Sequence, residues 1–426
     1  MMLEGICHDW PVTNVGKLFD IQQGKSLSPK SRAGISPRPF LRTANVFWGK
    51  VIITNLDEMD FSDDEVAKFK LKFGDVLVCE GGDIGRTAVW KHLLNECCYQ
   101  NHLHRLRAKY GNYDSDFLAF WMQAGWNLFK VYGGEGNRTT IPNLSKSRLQ
   151  TFEIPHPPLP EQRSVATVLT KIQEAIAAQQ EIIEQSGELK KALMDKFFTK
   201  GLRDEPAKET EVGPIPESWE FSTLGKLCTE SGGRIQTGPF GSQLHSHEYE
   251  ESGLPVINPT HMLGNRINHQ NIPKISIETA ARLTRHELRE GDMLFARRGV
   301  IGRHGLVGKN EVGWICGTGC FLVRLNSERI INKFLSFFIA TQPVVAWLNA
   351  NAAGAIMPNL NSQVIGRIPV YFPPKPEQEQ IVGLLTGLDD KVDAAEVKKE
   401  VLQDLFKTML HELMTGNIRT TPLMEA

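Results

Sequence analysis

The chain has no long hydrophobic run and almost no net charge. It contains 426 residues, of which 41% are hydrophobic and 23% are charged, and its formal net charge is -1. No apolar run approaches the roughly 18 residues that a membrane-spanning helix needs. Acidic Glu4 and Asp9 stand where a secretory signal would be basic and apolar. We therefore expect a cytoplasmic protein of about two to three domains with no membrane partner.

Cysteine is scarce and lacks the spacing of a metal site. The seven cysteines include no pair of Cys-x-x-Cys elements, which structural zinc sites usually need. His245 and His247 alternate as if on one strand face, but no third ligand accompanies them. We expect no metal and predict reduced thiols in hydrophobic cores. The cysteines are Cys7, Cys79, Cys97, Cys98, Cys228, Cys316 and Cys320.

Motifs of the common nucleic-acid enzymes are also missing. A P-loop would need glycine at position 19, ahead of the Gly24–Ser26 segment, where the chain has Phe19. The Ile257–Thr260 segment lacks the second proline and the aromatic residue of an adenine methyltransferase. Asp20 or Asp75 could nominally serve a nuclease, but an Asp after Gly and before a strand, as at Asp75, is typical of a turn with a side-chain-to-backbone bond. We therefore expect a non-catalytic chain without a bound cofactor.

The near-zero net charge excludes a protein that binds nucleic acid over its whole surface, since phosphate binding needs clustered Lys and Arg. Local basic segments are present, however. Between Lys17 and Leu56 there are seven basic residues and one acidic residue, and between Arg282 and Lys309 there are seven basic and three acidic residues. Each half of the chain therefore carries one segment that could contact DNA.

An internal repeat is the main feature of the sequence. Residues 141–144 (Ile-Pro-Asn-Leu) match residues 357–360 (Met-Pro-Asn-Leu), and residues 158–162 match residues 374–378, both at an offset of 216. The register holds to Arg203 and Arg419, whereas upstream the offset varies. A repeat of this length is a domain duplication. Each half is thus a variable body followed by a closely repeated tail.

Each tail is predicted to form one long helix. Pro160 and Pro376 lie at the start, followed by Glu161 and Glu377 in the first turn, where both residue types favour a helix. About 40 residues give a rod of roughly 60 Å, which needs a partner. The predicted seam contains Val165, Val168, Ile172, Ala175, Gln179, Ile182, Ser186, Leu189 and Leu193 in the first tail, and Ile381, Leu384, Leu388, Lys391, Ala395, Lys398, Leu402, Leu405 and Met409 in the second.

The obvious partner of each tail is its own copy. Because the second body must fit between the tails, we expect antiparallel, coiled-coil-like pairing with pseudo-twofold symmetry; a helix lying across one globular core is the alternative. The polar seam positions Gln179, Ser186, Lys391 and Lys398 would fix the register or face a third partner.

The bodies differ from the tails in composition. Their short apolar runs, broken by Gly, Pro and Asn, predict β-rich structure with some helix. Apolar spacing predicts helices over Phe117–Tyr132 and Ile331–Asn349, and residues 203–216 have the composition of a connector. The expected fold class is α+β, with two β-rich mixed α/β domains separated by the two long helices.

This arrangement resembles the specificity subunits of type I restriction-modification systems. The resemblance covers almost the entire chain and rests on the order and duplication of its elements. These are the Pro-x-Pro-Glu-Gln segments 158–162 and 374–378, the Pro-Asn-Leu segments 142–144 and 358–360, the Gly-Asp turns at 74–75 and 291–292, and Thr237–Ser242.

The resemblance implies a non-catalytic chain that directs other subunits to double-stranded DNA. It implies two modification subunits that methylate adenine with S-adenosylmethionine, and restriction subunits that use ATP and Mg to cleave unmodified DNA. Each body would be a target-recognition domain for one half of a bipartite, asymmetric site, and the helices would set the spacer. The implied divisions are recognition domains 1–157 and 217–373, spacer helices 158–202 and 374–418, linker 203–216 and tail 419–426.

Within the bodies, Arg and Lys are expected to bind phosphates, and Arg, Asn, Gln and Ser to read base edges. The candidates are Lys25, Ser26, Arg42, Asn45 and Arg86 in the first body, and Ser242, Gln243, Arg297, Arg298 and Arg303 in the second.

Two other functions stay open at this point. One is a coiled-coil scaffold that binds proteins, which the near-neutral charge favours. The other is a single-chain DNA methyltransferase or nuclease, which would require the catalytic motifs that are missing.

Overall fold

In this computed structural model, the described residues are 9–29, 31, 34–132, 143–352 and 359–420. The chain divides into two compact units: unit 1 comprises Met1–Glu181 and Glu396–Ala426, and unit 2 comprises Ile182–Ala395. Each unit therefore contains one predicted body together with part of both tails. Cys7, Lys30, Arg32, Ile141–Pro142 and Met357–Pro358 lie outside the described residues.

Unit 1 consists of short strands with helices packed beside them. Its strands are β1 (Val12–Asn14), β2 (Phe19–Gln23), β3 (Pro37–Leu41), β4 (Val46–Phe47), β5 (Lys50–Val51), β6 (Asp57–Asp60), β7 (Val76–Cys79), β8 (Thr87–Val89), β9 (Cys98–Tyr99), β10 (Leu103–Ala108) and β11 (Glu153–Pro155). Its short helices are α1 (Val15–Leu18), α2 (Asp63–Phe69), α3 (Ser115–Asn127) and α4 (Lys146–Gln150).

The main sheet of unit 1 has four antiparallel strands in the order β2-β10-β7-β8. Strand β7 is buried along its whole length, as its continuous apolar run (Val-Leu-Val-Cys) predicts. A second sheet has the order β6-β3-β9, with a parallel β3-β9 pair. Helix α3 packs on the main sheet through Phe117, Leu118 and Trp121, all fully buried in the unit 1 core.

Unit 2 repeats this plan. Its strands are β12 (Ala207–Thr210), β13 (Gly213–Pro216), β14 (Glu220–Thr223), β15 (Arg234–Thr237), β16 (Tyr249–Glu250), β17 (Leu254–Ile257), β18 (Met262–Leu263), β19 (Arg266–Ile267), β20 (Lys274–Ile275), β21 (Met293–Ala296), β22 (His304–Leu306), β23 (Ile315–Cys316), β24 (Cys320–Arg324) and β25 (Pro369–Phe372). The four-stranded sheet β15-β24-β21-β22 is again antiparallel.

The two long tails are helices, as predicted. The remaining helices, in chain order, are α5 (Leu159–Lys200), α6 (Leu224–Glu230), α7 (Ile277–Arg282), α8 (Asn332–Ile339), α9 (Gln342–Asn351), α10 (Ser362–Gly366) and α11 (Lys375–Thr415). Helices α5 and α11 have 42 and 41 residues. With two mixed bodies and two long helices, the α+β fold class is confirmed.

Helices α5 and α11 run antiparallel within each unit. In unit 1, Glu161 binds Arg419, and the Lys399 ammonium donates to Gln180 at 2.7 Å. In unit 2, Lys190 contacts Asp389 at 2.5 Å, and the Leu202 backbone N–H donates to Glu377. In both units the residue number rises along one helix as it falls along the other, which confirms the predicted antiparallel pairing.

The predicted seam is correct in most of α5, where Leu189 is the exception at 49% exposed, and it is partly wrong in α11. Gln179 and Ser186 are buried, as expected of polar seam positions. In α11, however, Lys391 and Lys398 are exposed and Leu384 is 51% exposed, whereas the neighbouring Leu385 is fully buried. Consecutive leucines allow either register, and a straight helix drifts by about 20° per heptad relative to a 3.5-residue repeat. In this part of α11 the buried polar residue is Asp389, while Gln378 and Thr415 are buried at the two ends of the helix.

Three other predictions need correction. Helix α3 ends at Asn127, well short of Tyr132, and Lys130 has a positive φ. The helix predicted over Ile331–Asn349 is two helices, because Pro343 in the first turn of α9 cannot continue α8. Within the segment predicted as a connector, the β12-β13 hairpin buries Ile215 in the unit 2 core.

The six cysteines within the described residues are buried and free, as predicted. Burial raises the pKa of the Cys79 thiol to about 11, so it stays protonated and unreactive. None of the helices in the described part of the chain is long and apolar enough to span a membrane.

Candidate nucleic-acid interface

In unit 2, three loops lie together at one end of the strands of the four-stranded sheet. The loop after β15, the hairpin loop between β21 and β22 and the loop before β24 all lie there, because neighbouring strands are antiparallel. These loops are residues 238–245, 297–303 and 317–319, which we call edge 2. The corresponding loops of unit 1, residues 24–29, 80–86 and 100–102, form edge 1.

An ion pair with a buried aspartate links two strands of the main sheet in each unit, at the opposite end of the strands from the loops. In unit 1, Arg107 donates to both carboxylate oxygens of Asp75, at 2.7 and 2.6 Å. In unit 2, Arg324 does the same with Asp292, at 2.8 and 2.5 Å. These bonds raise the pKa of both guanidinium groups. The pair joins the start of β7 or β21 to its neighbour, β10 or β24.

The Gly-Asp turns were predicted from sequence, and their arginine partners were not. As expected, Asp75 accepts the Lys72 backbone N–H at 2.7 Å and Asp292 accepts the Arg289 backbone N–H at 2.8 Å. The structural role assigned to Asp75 is therefore confirmed.

A second arginine is also repeated, at the end of each hairpin loop. Arg86 donates to the Thr43 carbonyl at 3.0 Å, and Arg303 donates to the Pro259 carbonyl at 3.3 Å. Both carbonyls belong to the first residue of a short 3-10 turn. These arginines attach the same turn to the same edge in both units.

The described part of each Pro-Asn-Leu segment also joins an edge. The Leu144 N–H donates to the Glu80 carbonyl at 2.8 Å, and the Leu360 N–H donates to the Arg297 carbonyl at 3.0 Å. In unit 2, Asn359 additionally accepts from the Arg297 guanidinium at 3.3 Å. The repeated motif is thus explained by backbone pairing with the hairpin loop.

Edge 1 and the adjoining 3-10 turn contain all five candidates of the first body. Ser26 is exposed, and Arg42 is exposed beside Asp57, 3.0 Å away. Lys25 has only 14% of its side chain exposed and contacts Glu65 at 2.5 Å. Asn45 is buried; its side-chain oxygen accepts the Arg42 N–H and its amide donates to the Ile52 carbonyl. Four of these candidates, all but Ser26, therefore have structural partners within unit 1.

Edge 2 contains all five candidates of the second body. Ser242 is exposed, and the Gln243 side chain accepts the Phe240 N–H at 3.0 Å. Arg297 and Arg303 are half-buried in the contacts given above, and Arg298 is exposed. Among the described residues, Arg298 has no ion-pair partner, so its charge is available to a ligand.

The hairpin loops of the two edges differ in charge at two equivalent positions. In the hairpin loop of edge 1, Glu80 and Asp83 lie where edge 2 has Arg297 and Val300. Asp83 is paired with Arg86 at 3.1 Å. Edge 2 is therefore more suited to phosphate or guanine, which attract Arg.

Sequence reasoning missed two exposed apolar residues at edge 2. Phe240 is 54% exposed and Val300 is 59% exposed. The available signal was their position, since Phe240 lies in the Thr237–Ser242 segment and Val300 follows Gly299, which has a φ of +85°. No group of His, Cys, Asp and Glu in the described residues could hold a metal ion.

These repeated edges on two β-rich bodies, joined through paired helices, define a DNA-specificity module. The family model described as "Type I restriction modification DNA specificity domain" matches residues 8–185 and 216–404. The chain therefore belongs to this family, that of the non-catalytic specificity subunits of type I restriction-modification systems, and carries two copies of the domain.

Two relatives named as specificity subunits match most of the chain. A putative type I restriction enzyme MjaX specificity subunit of Methanocaldococcus jannaschii is 25% identical over 97% of this chain and 95% of its own length. The type I restriction enzyme MjaVIII specificity subunit of the same organism is 26% identical over 67% of this chain and 66% of its own length.

Solved structures share the fold. The crystal structure of a type I restriction-modification system S subunit from M. genitalium has a TM-score of 0.62 and 17% identity, covering 95% of this chain and 96% of that one. A chain from a study of complex assembly and conformational transition of the type I R-M system has a TM-score of 0.51 and 15% identity, covering 96% and 98%.

Proposed function

We propose that this chain directs adenine methylation, and restriction of unmodified DNA, to a bipartite and asymmetric DNA target. Each sheet edge reads one half of the target, and helices α5 and α11 set the spacer and bind two modification subunits. Restriction subunits join this assembly in the cytoplasm. The modification subunits supply S-adenosylmethionine and the restriction subunits use ATP and Mg, so this chain needs no cofactor.

The observation that carries the proposal is the duplicated edge. The ten candidate DNA-contacting residues come from two stretches of sequence far apart, and they lie on edge 1, on edge 2 or at the 3-10 turn attached to edge 1. Two of them, Arg86 and Arg303, occupy equivalent positions in the two units. A protein that recognises one continuous palindromic site would need two similar edges. The different charges of Glu80 and Arg297 instead support two different half-sites.

Mapping methyl-adenine across the host genome tests this function. A strain deleted for this chain is compared with the intact strain by single-molecule sequencing. We expect methyl-adenine to disappear from one gapped, two-part motif and to return when the chain is restored. Methylation that is unchanged in a strain shown to express the chain would contradict the proposal.

A further inference from the structure

Edge 2 presents three exposed side chains on two neighbouring loops. Phe240 lies on the loop after β15, and Arg298 and Val300 lie on the hairpin loop after β21. Both strands flank β24 in the sheet, so the loop bases are separated by two strand spacings, roughly 10 Å. That distance is close to three base-pair steps of duplex DNA, at about 3.4 Å each.

The loop that carries Phe240 is held in place by its own bonds. The N–H groups of Gln243 and Leu244 donate to the Phe240 carbonyl at 2.8 and 3.1 Å, and the Gln243 side chain accepts the Phe240 N–H. At Gly238, a Cβ atom would lie 2.1 Å from the Gly317 carbonyl oxygen, so only glycine fits. The aromatic ring is therefore presented on an ordered loop, which lowers the entropic cost of binding.

The hairpin loop is also ordered. The Arg297 N–H donates to the Gly319 carbonyl at 2.8 Å, and the Arg303 N–H donates to the Val300 carbonyl at 3.2 Å. Gly299, with a positive φ, allows the turn between Arg298 and Val300. Edge 2 thus presents two exposed apolar side chains, Phe240 and Val300, together with the exposed Arg298, which has no ion-pair partner among the described residues.

Edge 1 has none of these three side chains. Gly24 lies against the Gln100 carbonyl as Gly238 lies against the Gly317 carbonyl, so the two glycines are equivalent. Two residues further on, edge 1 has Ser26 where edge 2 has Phe240. At the hairpin, Gly81 and Asp83 take the places of Arg298 and Val300. A shared folding requirement would keep these residues alike in both units, so the difference favours recognition of a ligand.

We propose that Phe240 and Val300 contact thymine methyl groups in the major groove of one half-site, beside a guanine or phosphate bound by Arg298. This rests on the proposed function. Thymine alone carries a methyl group in the major groove, and Phe is among the side chains that contact it. Under the proposed function the target contains an adenine to be methylated, and therefore also the thymine that pairs with it.

The test replaces thymine by deoxyuridine, which removes only the methyl group. The full chain is purified with its modification subunits, and binding is measured to duplexes of the mapped target with deoxyuridine at one thymine position at a time, in both half-sites. We expect about fourfold weaker binding at one or two positions, all in the same half-site, which is the contribution of one buried methyl-sized group.

Phe240→Ala and Val300→Ala identify the contacting residue. Each variant is expected to bind the thymine-containing target more weakly than the wild type does. Each should also lose its sensitivity to deoxyuridine at one position, whereas Phe240→Leu keeps part of that sensitivity. The matched control is Phe221→Ala, since Phe221 is 53% exposed but lies on the separate β14-β25 sheet; this variant should behave as the wild type.

The outcomes separate the two proposals. If the wild-type complex distinguishes its target from a scrambled duplex but is insensitive to deoxyuridine at every position, the thymine contact is wrong and the proposed function stands. The thymine contact is also wrong if Phe240→Ala and Val300→Ala keep the full wild-type sensitivity. A wild-type complex that does not distinguish its mapped target would overturn the proposed function and this inference with it.

Discussion

At the scale of single residues, the two buried ion pairs show that one repeated contact has different surroundings in the two units. Asp75 and Asp292 are both buried, but the Arg107 side chain is 31% exposed whereas that of Arg324 is 9% exposed. Water can therefore solvate Arg107 when its partner is lost. A buried Arg324 without a carboxylate would remain uncompensated.

We predict that Asp292→Asn lowers the free energy of unfolding of the purified chain by about 3 kcal/mol, and that Asp75→Asn lowers it by less. Urea unfolding followed by circular dichroism measures both. The double variant Asp292→Leu with Arg324→Met should recover much of the loss, since no charge is left buried. A larger loss in Asp75→Asn would show that exposure of the arginine does not control the effect.

The sequence carried part of this information. A Gly-Asp turn before an apolar run indicated the backbone bond of Asp75, because that bond is local. The arginine partner lies 32 residues further along the chain and on another strand. Its identity depends on the strand order β10-β7, which no local pattern specifies. The same reason explains why Lys25 was predicted to bind phosphate although Glu65 and the Asp60 carbonyl hold its ammonium group.

At the scale of elements, the repeated glutamine at the start of each long helix is a structural anchor. The Gln378 side chain accepts the Ile331 N–H at 2.8 Å and donates to the Arg329 and Pro373 carbonyls, both at 2.8 Å. Gln162 makes the equivalent bonds in unit 1. The motif Pro-x-Pro-Glu-Gln therefore ties the helix to the loop that precedes α8 or α3.

We predict that Gln378→Leu lowers the free energy of unfolding by about 2–4 kcal/mol, because it leaves buried backbone groups without partners. The exposed Gln380, two residues along the same helix, provides the control: Gln380→Leu should change stability by less than about 0.5 kcal/mol. Equal unfolding midpoints for the two variants would argue against the anchoring role.

The helices also show how far periodicity can predict packing. It predicted two long helices, with Pro160 and Pro376 in their first turns, and rods of this length needed a partner. The antiparallel pairing followed instead from the second body, which must fit between the two tails. It did not distinguish Leu384 from Leu385. That choice depends on contacts such as Lys190 and Arg266 with Asp389, which fix one face of α11 in unit 2.

At the scale of the whole molecule, buried histidines make stability depend on pH. Burial lowers the pKa of His261, His286 and His304 in unit 2 and of His104 in unit 1, from an ordinary value of about 6.5. Below that value the unfolded chain binds protons that these folded imidazoles do not bind. The stabilisation is complete above about pH 6.5 and is lost as the pH falls below it.

We therefore predict that the free energy of unfolding falls between pH 7.5 and pH 5.5, by up to about 1.4 kcal/mol per pH unit for each such histidine. Urea unfolding across this range measures the effect. His304→Gln, which removes a fully buried imidazole, should be less stable than the wild type at pH 7.5 but lose less on acidification. An unchanged pH dependence in this variant would show that His304 does not contribute.

Charge is the other property that must be judged for the whole molecule, because a net charge of -1 gives no indication of Arg298, which is exposed at edge 2 and has no ion-pair partner in the described part of the chain. If Arg298 neutralises a phosphate, Arg298→Ala should reduce the salt slope of log K for DNA binding by about one in the purified complex. The control is Arg329→Ala, since Arg329 is paired with Glu220 and Glu230 away from edge 2 and should leave the slope unchanged. If instead Arg298 reads guanine, the slope stays and discrimination at one base pair falls by about 1–3 kcal/mol. An Arg298→Ala complex with the wild-type salt slope and the wild-type base preference would show that Arg298 contacts neither a phosphate nor a base.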